Sequence, residues 1–86
     1  MIHELKTINP FFEQIYQGVK TFECRLNDRE YKDGDFLYLK EYSDGFTGRE
    51  VIAKVTSIVY DYQFKGIADR YCIMSIELRG ILHLRT

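Results

Sequence analysis

Tryptophan is missing from this 86-residue chain, proline occurs once, and cysteine and histidine occur twice each. Cys24 and Cys72 lie far apart inside strand-like apolar runs. That excludes the dense disulfide framework by which very small secreted domains make up for a thin core. His3 and His83 stand at opposite ends of the chain, and with only two cysteines no metal-ligand spacing exists. Neither a metal nor a cofactor is expected. No apolar run approaches the roughly 20 residues of a membrane span. The start Met1-Ile2-His3-Glu4 also lacks the basic stretch that opens a secretory signal, so the expectation is a cytoplasmic protein with no membrane partner. Charge of one sign is not in excess either: 12 basic against 13 acidic residues leave a net charge of −1. A diffuse basic field for duplex DNA is thereby excluded, and any nucleic-acid contact must be local.

What the chain does hold is aromatic surface. Seven Tyr and six Phe favour pleated, half-buried strands, and a hydrophobic share of 45% suits one folded domain. Ile2 to Thr7 reads as a first strand. Asn9-Pro10 then opens a helix whose apolar stripe is Phe12, Ile15, Tyr16 and Val19, with Gly18 near its end. From Lys20 to Leu26 the period changes to two, which sets Phe22, Cys24 and Leu26 on one face and Thr21, Glu23 and Arg25 on the other. The apolar face is expected inside and the charged face outside.

Asp33-Gly34 marks a turn before a strand over Phe36–Tyr42, with Leu37 and Leu39 facing the core. Ser43 to Gly48 reads as a loop, Arg49 to Tyr60 as the longest strand, and Tyr71 to Leu78 as an interior strand. The expected architecture is α+β: a curled sheet or partly closed β-barrel of about five strands with one short helix after the first. The domain is expected over residues 1–78, with 79–86 a loosely packed tail.

Lys20, Glu23 and Arg25 share one side of their strand, and Arg29 continues the positive charge beyond it. A guanidinium offers a fork to phosphate or to a base edge, and a carboxylate accepts from an amine or hydroxyl. The plain alternative is a solvated ion pair contributing about 0–1 kcal/mol. His3 and Lys6 on the first strand are further candidates for the edge of such a groove. Tyr38, Tyr42 and Tyr60 read first as packing, with stacking on bases as the alternative.

The segment "GVKTFECR" at Gly18–Arg25 completes Gly-x-Lys-x-x-Glu-x-Arg. It resembles the signature of the ASCH domain, a branch of the PUA-like superfamily of small β-barrels. "HELK" at 3–6, "NDREYKDGD" at 27–35 and "FTGRE" at 46–50 resemble an ASCH-like bacterial and phage family in the same order, so the likeness spans about residues 2 to 78. The resemblance implies a PUA-like barrel with a cleft beside its first helix, lined by Lys20, Glu23 and Arg25. It also implies binding of RNA or a nucleotide, in single-stranded or structured form rather than duplex DNA. One similar branch hydrolyses acetylated cytidine with a Lys and a Thr in Gly-x-Lys-x-x-Thr-x-Arg. Lys20 matches that lysine, but Glu23 occupies the nucleophile position and Thr21 comes two residues early. Binding without catalysis is therefore the favoured expectation. The alternative is a hydrolase or ribonuclease with Lys20 and Glu23 as its acid–base pair.

Overall fold

The computed structural model, which describes residues 1–83, turns these alternations into five strands and one α-helix. β1 (Ile2–Ile8) leads into α1 (Phe11–Tyr16), followed by β2 (Phe22–Leu26), β3 (Phe36–Tyr42), β4 (Phe46–Tyr60) and β5 (Tyr71–His83). A single 3-10 turn, Asp61–Gln63, lies between the last two strands. All five strands join one sheet in the order β1-β3-β4-β5-β2. β1 runs parallel to β3, and the other neighbours are antiparallel. The sheet curls until its two edge strands face each other, close enough for the Arg25 guanidinium on β2 to reach the Lys6 carbonyl on β1. The result is the expected α+β class, a curled half-barrel.

Alternation places the core. Leu37, Leu39, Val51, Ala53 and Val55 are fully buried on the concave face, with Leu5 and Met74 beside them. Each large aliphatic side chain so buried contributes roughly 1.5–3 kcal/mol. α1 closes the concave side through Phe12 and Ile15, with Tyr16 partly buried against the same cluster. Its first turn is capped by Asn9, whose Oδ1 accepts from the Glu13 N–H at 2.9 Å. Gly18, at φ +77°, ends it in the left-handed region that glycine adopts without strain. Val19 falls beyond that turn and is 77% exposed, so the apolar stripe stops at Tyr16.

An ion cluster holds the helix to the sheet. Arg49 Nε and Nη2 each donate to a different oxygen of the buried Glu41 at 2.8 Å, and Nη2 also donates to Glu13 of α1 at 2.9 Å. The guanidinium lies 4.7 Å from the centre of the Tyr16 ring. Arg49, helped by Thr47 and Asn9, holds the Glu41 carboxyl at about 2 against the opposing effect of burial.

Two sequence expectations are corrected here. Residues 79–83 are not a loose tail, because β5 continues through them, with Ile81 opposite Val51 and His83 opposite Arg49. Gly80, read as a break, sits opposite Ile52 beside a register shift that absorbs one extra residue and lets pairing resume. Residues 84–86, the rest of the expected tail, lie outside the described residues. β4 also begins at Phe46 rather than Arg49. The expected loop shrinks to Ser43-Asp44-Gly45, where Asp44 (φ +57°) and Gly45 (φ +122°) make the tight reversal.

Candidate functional site: the seam between the edge strands

β2 keeps its period of two but exchanges its faces. Glu23 is 3% exposed, whereas Phe22 is 48% exposed and Cys24 is exposed, which reverses the expected assignment. A buried carboxylate is tolerable only when its charge is paired and its oxygens are bonded. Both conditions are met. Lys20 Nζ lies 2.7 Å from Glu23 Oε1, and Arg25 Nε lies 2.8 Å from Oε2. The cations are in turn tied to main chain and hydroxyl: Lys20 Nζ donates to the Phe22 carbonyl at 2.7 Å. Arg25 Nη2 donates to Thr7 Oγ1 at 3.1 Å and to the Lys6 carbonyl at 3.2 Å. Arg29 Nη1 makes a second bridge to β1, donating to the Glu4 carbonyl at 3.1 Å. Side chains, in place of a fifth ladder, thus close the half-barrel.

The gap they span is a cleft of about 670 Å³, well within the roughly 300–1,000 Å³ of small-molecule sites. Its floor is polar, formed by the buried Thr7, Glu23 and Tyr31 and the partly buried Arg25. Its walls are apolar and half-exposed: Ile8 and Phe11 on one side, Phe22 and Tyr71 on the other. Lys6 and Arg29 also line it. Neither has a carboxylate partner among the described residues, and the Lys6 ammonium rests 4.5 Å above the Tyr42 ring centre. Positive charge without any carboxylate partner therefore sits at Lys6 and Arg29, while Lys20 and Arg25 share the single negative charge of Glu23.

Of the six candidates, Lys20, Glu23, Arg25, Arg29 and Lys6 come together in this cleft. His3 does not, which corrects its candidacy. It is 4% exposed, its Nε2 lies 2.8 Å from Asp35 Oδ2, and its ring packs edge-on against Tyr31 at 4.8 Å. Burial raises the Asp35 pKa, but His3, the Lys32 N–H and the N-terminal ammonium outweigh it and hold the carboxyl low. The physical role of His3 is to support Tyr31 from behind.

Tyr31 itself was not singled out by sequence reasoning, nor were Thr7, Phe11 and Tyr71. Its main chain is fixed by Asn27 Oδ1, which accepts from the Tyr31 N–H at 3.0 Å, and by the Tyr60 hydroxyl, which donates to the Tyr31 carbonyl at 2.9 Å. Burial pushes its phenol pKa up. The available signal was its place inside "NDREYKDGD", directly after the charged motif. Tyr38, Tyr42 and Tyr60 do not line the cleft. Among the described residues, no group of three or more His, Cys, Asp or Glu is placed to hold a metal ion, and no helix is long and apolar enough to cross a membrane.

Residues 2–76 match a family model described as "Domain of unknown function (DUF3850)". The chain is also similar to an "Uncharacterized 12.9 kDa protein in GpA 3'region" of Escherichia phage P2, with 43% identity over 58 residues. That match covers 66% of this chain and 53% of the phage protein, so the chain spans about half the length of the relative.

Proposed function

The chain belongs to the DUF3850 family, and from that premise we propose that it is a binding domain for RNA or a nucleotide, without catalysis, using the cleft between β1 and β2. The observation that carries the reading is the combination of aromatic walls with two cations, Lys6 and Arg29, that no carboxylate neutralises among the described residues. Flat bases stack on such walls, and phosphate oxygens take such cations. Lys20, Glu23 and Arg25 form the polar floor, with Glu23 orienting both neighbours. Kinship with the ASCH branch of PUA-like barrels, and action in the cytoplasm, belong to the same proposal.

The test is a fluorescence titration of single-stranded RNA oligomers over a range of salt. Two neutralised phosphates give a log–log slope of about −1.4, from roughly 0.7 per phosphate on single strands. Lys6→Ala and Arg29→Ala should each weaken binding and flatten that slope by about 0.7. Binding that is independent of salt and unchanged in both variants overturns the reading.

The second reading, hydrolysis of a modified nucleoside or of RNA, is favoured by the 2.7 Å contact of Lys20 with Glu23, short enough for proton transfer. Turnover of acetylated cytidine or RNA that is lost in both Lys20→Ala and Glu23→Gln would establish it.

A further inference from the structure

The two edges of the seam expose main chain as well as side chains, and the hydrogen-bond pattern fixes which groups. Across β2 and β5 the Ile76 N–H donates to the Thr21 carbonyl, and the Asn27 N–H donates to the Arg70 carbonyl. Antiparallel pairing alternates residue by residue, so Thr21, Glu23, Arg25 and Asn27 turn their backbone groups toward β5. Phe22, Cys24 and Leu26 therefore turn theirs toward the cleft. The Phe22 carbonyl does so visibly, since it accepts from Lys20 Nζ.

On β1 the carbonyls of Glu4 and Lys6 accept from Arg29 and Arg25 across the gap. By the same alternation, Glu4, Lys6 and Ile8 present both N–H and C=O to the seam. No strand pairs with either edge among the described residues. The backbone groups of Cys24 and Leu26, and the N–H groups of Lys6 and Ile8, are thus uncommitted donors and acceptors inside an apolar-walled cleft.

We infer that the cleft reads a single nucleobase by its hydrogen-bonding edge, through the main-chain N–H and C=O groups of Cys24 and Leu26 on one side and the N–H groups of Lys6 and Ile8 on the other. This rests on the proposed nucleotide-binding function and specifies how the ligand is told apart. A flat heterocycle with donors and acceptors along one edge matches edge-strand backbone, whose donors and acceptors alternate at fixed spacing. Phe11 and Phe22 offer apolar rings on the two walls, with the Lys20 ammonium 5.8 and 4.6 Å from their centres, so a base would stack beside that ammonium. Lys6 and Arg29 line the cleft for the phosphate. The floor of Arg25 and Glu23 stops the base from passing through the seam. Selectivity of this kind cannot be removed by trimming one side chain, so the ligand must be varied instead.

The experiment titrates the ¹⁵N-labelled chain with the four ribonucleoside 5′-monophosphates, with ribose 5-phosphate, and with nucleotides methylated at a hydrogen-bonding ring nitrogen. One monophosphate should bind at least tenfold tighter than ribose 5-phosphate and shift the amide signals of Lys6, Ile8, Cys24 and Leu26. Its ring-nitrogen methyl derivative should bind at least tenfold more weakly. A matching oligonucleotide that binds far tighter than the monophosphate identifies the source as a strand, and equal binding identifies a free nucleotide; either supports the inference. If all monophosphates bind within twofold of ribose 5-phosphate, or the methyl derivative binds undiminished, base reading is overturned while phosphate binding stands. If none of these compounds nor any RNA oligomer binds, the nucleotide-binding function falls with it.

Discussion

Glu41 and Glu23 are both buried carboxylates, and both are fully partnered, yet they do different things. Glu41 is bonded to Arg49, Thr47 and Asn9 and has no face on the cleft. Its role is structural, so Glu41→Gln should destabilise the fold by about 2–4 kcal/mol in urea unfolding, because the partly buried Arg49 loses its buried counter-charge and keeps only the more exposed Glu13. The pH dependence follows in sign. The folded carboxyl titrates at about 2 and the unfolded one at 4.5. Between those values the unfolded chain binds more protons, so acid favours unfolding. The Glu41 contribution is complete above about pH 4.5 and is lost as pH falls toward 2, a loss that Glu41→Gln should abolish. Glu23 instead lies on the floor of the seam. The sequence made its charged partners legible but not its direction: alternation says that Glu23 and Phe22 face opposite ways, and hydrophobicity chose the wrong one to bury. Lys20 and Arg25 decide it, because a carboxylate with two cations at 2.7 and 2.8 Å no longer needs solvent.

Among the elements, β5 shows where local reading stops. Its first half was legible, since Cys72, Met74 and Ile76 alternate and are buried. Its second half was not, because Gly80 interrupts the pattern and only the long-range partner Ile52 restores it. The contrast between two glycines tests this. Gly80 has no positive φ, and an added Cβ would meet only Ile52 side-chain atoms at 3.6 Å or more. Gly80→Ala is therefore expected to stabilise the chain by about 0.4–1 kcal/mol. Gly18, held at φ +77° after α1, is open around its Cβ but strained for any other residue, so Gly18→Ala should lower stability by about 1 kcal/mol. Equal shifts in the two urea midpoints would return Gly80 to a loop. The helix was legible through Asn9, Phe12 and Ile15, and overextended only at Val19, where a chain reversal rather than periodicity takes over.

For the molecule as a whole, closure of the half-barrel rests on two arginines and not on a ladder. Removing both, in Arg25→Ala/Arg29→Ala, should speed hydrogen exchange of β1 amides about tenfold, as expected for a loss near 1.4 kcal/mol. The β4–β5 ladder should keep its protection; if exchange quickens everywhere alike, the seam is not a separate structural unit. The curled sheet was legible from strand count and spacing. A groove beside Lys20, Glu23 and Arg25 was legible too, but its place between the β1 and β2 edges was not, because it arises where two strands that are not neighbours in the sheet come to rest side by side without pairing. The acceptors of both arginines on β1 include backbone carbonyls, those of Lys6 and Glu4. Every amino acid supplies the same carbonyl, so the identities at positions 4 and 6 are open to drift without unlatching the barrel. A relative is free to change the charge that greets its ligand at these two positions while inheriting the same latch. That makes the rim the part of this fold on which new ligand preferences evolve most easily.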